Sequence, residues 1–517
     1  MRSWRWILVV AVIAGALLRL PALDLRSMHT DEAVHAIKFG TLLETGSYRY
    51  DRNEYHGPTL NYFTLVPALL LSETRLVQVT ETTLRIVPVV FGLGLIVLIL
   101  LIADIGPGAA AMAGLFTAFS PAMVFYSRYY IQEMLLVFFG LALIGTAYRF
   151  LTGGKSAWAA LAGMSAGLMF ATKETWLIAV GAMCLALFLV LLLRHSLRWQ
   201  EMRKYTRGIL LAILSGVLVA LLFYSSFFTH WSGVWDSVLA YQNYFDRASE
   251  TTRHGHPWHY FLRMLLFWQS DGGPISTEAA IAFFALLGIV RAFREQGNSP
   301  GRDLKIFLGV YACLMLFILS AVPYKTPWLI LGILQPFVLL AGCGVPVFLN
   351  WFPGRWKNVG VLVVALLTCH LAWQAYGANF RHYDDPGNPY VYSHPGDDVK
   401  KIASTLNDVM RVQPKGVAVQ VVCPGDDYWP LPWYFRALPG TGWWHAIDAD
   451  FVPTQVILAA PEVEPALLKM LYESPPPGQR PLYVPLFERP MFLRPGKEIR
   501  GYIRLDIWEQ LRKERSG

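Results

Sequence analysis

The sequence predicts a mainly α-helical, polytopic membrane protein with a small C-terminal α/β domain outside the membrane. Three observations carry that prediction. The 517 residues are 55% hydrophobic and only 15% charged, where a soluble domain carries about 25% charge. Eighteen Trp and 24 Tyr suit the aromatic belts that form where membrane meets water. The apolar residues gather in long runs as far as about residue 380, after which the chain turns polar and rich in turn residues.

Eleven runs can span a bilayer: 5–23, 84–103, 108–126, 132–151, 156–172, 175–193, 208–228, 277–293, 304–321, 327–349 and 358–376. Each approaches the roughly 20 apolar residues that a spanning helix needs. The first follows Met1-Arg2-Ser3-Trp4-Arg5-Trp6 with no small-residue cleavage site behind it, so it reads as an uncleaved anchor rather than a signal peptide. A twelfth apolar run, 58–71, is short and holds Pro67. That length suits an interfacial or re-entrant segment. Loop charge decides its placement. With 58–71 not spanning and the N-terminus cytoplasmic, the basic loops 194–207, 291–305 and 350–357 all fall inside, as the positive-inside rule requires. The outer face then receives 24–82, 127–131, 173–174, 229–276, 322–326 and the C-terminal region. The net charge of +8 is accounted for by topology, and no nucleic-acid partner is expected.

Residues 33–44 suit a helix lying in the interface. Beyond a turn-rich linker at 382–389, 397–411 and 466–472 read as helices, and 417–422, 455–459 and 482–485 as strands. The expected division is a transmembrane domain over 1–380 and an extracytoplasmic α/β domain over 381–517. Five cysteines are too few for a disulfide framework. No internal repeat or low-complexity segment occurs.

The groups able to carry chemistry lie on outer segments. Asp31-Glu32 follows the first run. It reads either as the cap of the 33–44 helix, with Thr30 or Asp31 at the N-cap, or as a base beside apolar surface. Burial there resists ionisation and a nearby cation restores it; such a carboxylate takes a proton from a hydroxyl nucleophile. Glu133 opens the fourth run, five residues after Arg128. It either complements the helix dipole or serves chemistry, as ionisable groups at membrane depth commonly do. Lys325, between Pro323 and Pro327, is an interfacial anchor that snorkels or a phosphate contact. Lys173-Glu174, in a tight turn, is a structural ion pair or the support of a cavity. His254-Gly255-His256-Pro257-Trp258-His259 holds three His in six residues, but no nearby carboxylate or Cys completes a zinc set. Hydrogen bonding to phosphate or sugar hydroxyls fits it better, and Arg247, Arg253 and Arg263 flank it. The stretch from Asp426 to Arg436 mixes aromatic rings with carboxylates, which suits sugar binding or docking of the outer domain. No Walker A, GxGxxG, HExxH or GxSxG element stands in a fitting context, so nucleotide use is not expected.

Taken in order, several elements align: Arg19-Leu20-Pro21 at the end of the first run, Asp31-Glu32, His56-Gly57-Pro58-Thr59-Leu60-Asn61-Tyr62-Phe63, Arg85 in the second run, and Glu133. This series resembles the GT-C glycosyltransferases of the dolichyl-phosphate-mannose protein mannosyltransferase type, including the bacterial aminoarabinose transferases. Asp427-Tyr428-Trp429-Pro430-Leu431-Pro432-Trp433-Tyr434 looks like a flippase-activity-associated branch of that superfamily. The resemblance covers roughly residues 5–380. It implies a GT-C fold and a transferase that takes a sugar from a polyprenyl phosphate at the outer leaflet. Asp31 is the implied base, with Glu32 and Glu133 shaping the acceptor site. Lys325, His56 and Arg128, supported by Arg253, His256 and Lys173, are the cations expected around the donor phosphate. His56-Gly57-Pro58 stands where relatives carry His-Pro-Pro or Lys-Pro-Pro, so Gly57 is a departure. The implied partners are a polyprenyl-phosphate-linked sugar, membrane lipids and a protein or glycolipid acceptor. No cofactor is required and no divalent metal is indicated. The implied location is the cytoplasmic (plasma) membrane, with the N-terminus cytoplasmic and the C-terminal domain extracytoplasmic. A lipid-linked-sugar flippase component and a non-catalytic scaffold of the same fold are the alternatives.

Overall fold

The computed structural model describes residues 3–53, 56–193, 203–248, 255–270, 272–297, 299–413, 416–438, 440–474, 476 and 481–516. Most of these are helical. Among the described residues, seven helices are long and apolar enough to cross a membrane: Glu81–Ile105, Glu133–Gly153, Trp176–Leu193, Thr206–Tyr224, Pro300–Ala321, Pro327–Leu349 and Gly354–Arg381. Helices Pro107–Phe119 and Pro121–Ser127 make an eighth if they count as one span bent by 59°. The bend falls where Ser120 caps the second helix and Pro121 cannot continue the first.

By length and composition the described residues thus hold seven or eight such helices, and the expected eleven spans are not confirmed. The remaining expected runs are helical but short. They form Ser3–Arg19 with 17 residues, Ser156–Phe170 with 15 and Ala279–Arg294 with 16. At about 1.5 Å per residue, the shortest rises roughly 22 Å against a hydrocarbon core of about 30 Å. Thr59–Leu70, with 12 residues, is shorter again. Helices in this part meet through small residues, as membrane helices do where backbones approach closely. A Cβ on Gly288 would stand 2.0 Å from the carbonyl oxygen of Leu340, and one on Gly344 1.8 Å from that of Phe284. Glycine at both positions lets Ala279–Arg294 lie against Ile330–Leu349.

The chain forms two compact units. The first comprises 1–23, 41–72 and 80–392; the second comprises 24–40, 73–79 and 393–517. The second unit thus gathers two short upstream segments with the C-terminal α/β region. Its strands are β1 (Val419–Val422), β2 (Thr441–Trp444), β3 (Val456–Ala459), β4 (Tyr483–Pro485), β5 (Met491–Arg494) and β6 (Lys497–Arg504). They lie in the order β2-β1-β3-β6-β4, with β5 on β6. β1 runs parallel to β2 and β3, and β6 antiparallel to β3 and β4. Val399, Ile402, Leu406 and Val409 recur at helical spacing along Asp398–Val412 and are all buried, the apolar stripe that seats this helix on the core. The expected helices and strands correspond to Asp398–Val412, Glu464–Tyr472, β1, β3 and β4. The strands β2, β5 and β6 and the helix Leu505–Ser516 add to them.

One ion pair ties the helix Asp398–Val412 to the β5 region. The Asp398 carboxylate accepts two bonds from the Arg489 guanidinium, at 2.9 and 2.6 Å, and a third from the Phe492 N–H at 3.1 Å. The Arg489 bonds hold the Asp398 carboxyl below its ordinary range. A carboxyl whose folded pKa is depressed contributes stability above its unfolded pKa and loses it as pH falls through the folded value. Asp398→Asn should therefore speed amide exchange across Met491–Arg494 at neutral pH. The gap from the parent protein should close as pH drops below the carboxylate range. A gap independent of pH would show that the charge contributes nothing.

Candidate functional site

The acidic pair sits at the start of the helix Thr30–Thr45, and its two carboxylates have different tasks. The N-cap is His29 rather than Thr30 or Asp31, since the His29 carbonyl accepts the first helical bond, from the Ala33 N–H at 2.9 Å. Glu32 reaches back to accept the His29 N–H at 3.0 Å, and His29 Nδ1 accepts the Asp31 N–H at 3.1 Å. This is the reciprocal logic of a capping box, with histidine in the place of Ser or Thr. Burial pushes the His29 imidazole below its ordinary value. Its accepting Nδ1 places the proton of the neutral ring on Nε2. Glu32 is fully buried, with Arg26 at 4.0 Å. The Asp31 side chain, in contrast, is 44% exposed. Asp31 is the member of the pair that a solvent-borne hydroxyl can reach.

In the membrane unit the Lys173-Glu174 turn is the centre. The two residues do not pair with each other. Lys173 Nζ donates to Glu133 Oε1. Glu174 bonds His56 Nδ1 at 2.8 Å and accepts from the Tyr50 hydroxyl at 3.3 Å. Glu133, Lys173 and Glu174 are all buried.

Backbone packing explains how His56 arrives there. The Thr59 N–H donates to the Ala171 carbonyl at 3.2 Å, and the Thr59 and Thr172 hydroxyls lie 2.8 Å apart. A Cβ on Gly57 would stand 2.2 Å from that same Ala171 oxygen. Gly57 is what lets the His56 segment close on the turn.

Lys173 also stands 5.9 Å from the ring centroid of Trp328. Glu133 Oε2 and Thr175 Oγ1 have no hydrogen-bond partner among the described residues. Both line a small cavity of about 40 Å³, together with Met169, Tyr311, Trp328 and Gln335.

Lys325 and His256 are brought together by two neighbouring loops. Lys325 Nζ donates to the carbonyls of Val322 and, at 3.1 Å, His256. The His256 N–H donates to Pro323, and Gly255 bridges Tyr324. Burial pushes the Lys325 ammonium below its ordinary value. The His256 ring stacks on Tyr260 at 4.3 Å. Arg128 donates to the carbonyls of Arg19, Pro21 and Ala22 at 2.7–2.9 Å. It thereby caps the helix Ser3–Arg19, and it stacks on Phe380. Arg253 and His254 lie outside the described residues. Among the described residues no group of three His, Cys, Asp or Glu is placed to hold a metal.

Sequence reasoning missed the roles of Tyr50 and Glu278. Glu278 is buried and accepts from the Ser120 hydroxyl at 2.8 Å and the Ala122 N–H at 3.0 Å, at the start of the helix Pro121–Ser127. Its signal was available, because it opens an apolar run as Glu133 does.

The crystal structure of ArnT from Cupriavidus metallidurans bound to undecaprenyl phosphate matches with a TM-score of 0.65, covering 97% of this chain and 98% of that one at 14% identity. Archaeal oligosaccharyltransferase AglB from Archaeoglobus fulgidus, in complex with an inhibitory peptide and a dolichol-phosphate, matches with a TM-score of 0.57, covering 89% of this chain and 70% of that one at 12% identity. The fold is that of the GT-C glycosyltransferases. The profile of the family described as Dolichyl-phosphate-mannose-protein mannosyltransferase matches residues 64–223. No curated protein matches the chain by sequence. The family-matched part of the chain holds Arg128, Glu133, Lys173 and Glu174, but not Asp31, His56 or Lys325.

Removing one partner of a buried ion pair strands the other charge, at about 3–5 kcal/mol. Lys173→Met should cost that much in thermal unfolding of the purified protein, and Glu133→Gln/Lys173→Met together much less. Equal losses in the single and double variants would show that the pair is not coupled. Gly57→Ala should loosen the His56 segment, which faster amide exchange over 56–60 would reveal.

Proposed function

We propose that the protein is an integral-membrane glycosyltransferase that moves a sugar from a polyprenyl-phosphate carrier to an acceptor hydroxyl on the extracytoplasmic face. The observation that carries this reading is the Lys173-Glu174 turn. It buries a lysine–carboxylate pair and a histidine–carboxylate pair at the ends of apolar helices. Ionisable groups kept at such depth mark functional sites in membrane proteins. The prenyl phosphates bound to ArnT and AglB support a carrier of that class for a chain with their fold.

In this reading Asp31 orients the acceptor hydroxyl and takes its proton. The acceptor oxygen bonds to the anomeric carbon from the side opposite the phosphate. The carbon–oxygen bond to phosphate breaks, its electron pair leaves with the polyprenyl phosphate, and the anomeric centre inverts. Charge developing on the leaving phosphate calls for fixed cations. Lys173 and Lys325 supply them, and His56 and His256 add hydrogen-bonding ring nitrogens for the phosphate oxygens. Arg128 stands with them, its guanidinium fixed by backbone carbonyls as the Lys325 ammonium is. The sugar-phosphate lipid is itself the donor, so no cofactor takes part.

The test is transfer from a lipid-phosphate sugar in proteoliposomes, with products read by mass spectrometry. Asp31→Asn should lower transfer on the order of 10²–10⁴-fold while folding normally, since its side chain is not part of the cap. Glu32→Gln should chiefly lower stability. Unchanged transfer by the Asp31 variant would sink the role of Asp31. Lipid flipping without any glycosylated product would favour the translocator instead.

A further inference from the structure

The second unit contains a cleft of about 250 Å³ that the transfer reading does not use. Its position follows from the sheet. β1 and β3 are parallel neighbours. The chain leaves β1 through the short helix Leu431–Tyr434 to reach β2, on one side of β1. It leaves β3 through the helix Glu464–Tyr472 to reach β4, on the other side of the sheet. The two connections diverge, so a crevice opens between the carboxyl ends of β1 and β3. In open α/β sheets ligands bind at such a switch point. The cleft is lined by the residues that follow each strand, Cys423, Pro424 and Asp427 after β1 and Ala460, Pro461 and Glu462 after β3, and is closed by Gly496 of the β5–β6 turn with Lys497 and Glu498 at the start of β6.

The lining is pre-set. Gly425 and Asp426 both take left-handed backbone conformations, with φ of 62° and 61°, which turns the loop sharply after β1. Asp427 is then held from two directions, by Arg494 at 2.5 Å and by Lys497. Arg494 also donates to the Trp429 carbonyl at 2.8 Å, which pins the loop to the hairpin. Glu498 is held by Arg500 at 2.7 Å, and Arg500 is shared with Glu464. Glu462 is exposed and makes no ion pair among the described residues. Burial pushes the Cys423 thiol up to about 12, so the floor is neutral.

This charge arrangement selects the ligand. Each basic group at the rim is matched by a carboxylate, and Glu462 adds an unmatched negative charge. An anion is therefore repelled. A neutral polyol is favoured, because rigidly held carboxylates accept from its hydroxyls and Lys497 donates to them. We propose that this cleft is a binding site for a neutral saccharide.

Saturation-transfer NMR on the full-length protein in lipid nanodiscs tests the site, with no glycosidic detergent present. The probes are methyl glycosides of glucose, mannose, galactose and N-acetylglucosamine, with glucose 6-phosphate as the anionic comparison. A neutral glycoside should bind, and glucose 6-phosphate should bind less well. Glu462→Gln and Lys497→Ala should each weaken that binding at least about tenfold, the scale of a lost hydrogen bond to a charged group. Glu462→Gln alters an exposed residue and leaves the Asp427 contacts in place, so it reads the site without disturbing the fold. Absence of binding by every neutral glycoside, or binding unchanged in both variants, would overturn the proposal. Preference for the phosphorylated sugar would overturn it as well. Asp31→Asn should leave this binding unaltered, so the cleft and the transfer reaction succeed or fail separately.

Discussion

The ion pair between Glu133 and Lys173 sets the terms for the membrane unit. Each charge taken out of water costs several kcal/mol, and only close pairing with further hydrogen bonds offsets it. Glu133 begins one helix, and Lys173 lies in the turn between two others. Satisfying both charges therefore holds three helix ends together. The next residue, Glu174, continues the arrangement in another direction through His56 and Tyr50. A turn of two charged residues thus organises a polar cluster in an apolar surrounding. The low dielectric that makes the cluster costly also makes it effective on any developing charge.

A second constraint is backbone proximity. Gly57 against the Ala171 carbonyl, and Gly288 and Gly344 against facing helices, leave no room for a side chain. At Gly57 this has a chemical result, because it brings an imidazole onto a buried carboxylate. The glycosyltransferases that the sequence resembles carry proline there. Close approach, rather than a rigid φ, is what this chain requires at the position.

The second unit uses charge differently. Asp398 with Arg489, and Asp427 with Arg494 and Lys497, lie nearer to water and fasten loops and hairpins rather than sustain buried charge. Leu431 and Phe435 belong to its hydrophobic core, and Trp433 is fully buried. Tyr434 accepts from the Met28 N–H at 2.8 Å, and Arg436 donates to the Val79 carbonyl at 3.0 Å. The aromatic stretch therefore serves the interior of its own unit, and it holds the two upstream segments that this unit incorporates.

Much of this was legible in the sequence, because the signals are local. Hydrophobic run length located the helices of the membrane unit, an acidic cap marked Asp398–Val412, and short apolar runs marked β1 and β3. The number of spans was not legible to the same degree, since a run of apolar residues does not reveal where a helix ends or bends. β6 was missed although Ile499, Gly501 and Ile503 alternate toward the core, because charged residues interrupt the run. Residue type and position named Asp31, Glu133, Lys173 and Lys325 as candidates. Their partners were not legible: Lys173 meets a carboxylate 40 residues away and Glu174 a histidine 118 residues away, and no spacing rule connects such positions. The division of labour between Asp31 and Glu32 was equally hidden, since adjacent carboxylates differ only once a cap buries one and leaves the other in water. The sequence by itself determined which segments avoid water and which ionisable groups border them. Only the tertiary structure decided which charges pair, which carboxylate stays exposed and where the sheet opens, because each depends on groups that meet through folding rather than along the chain.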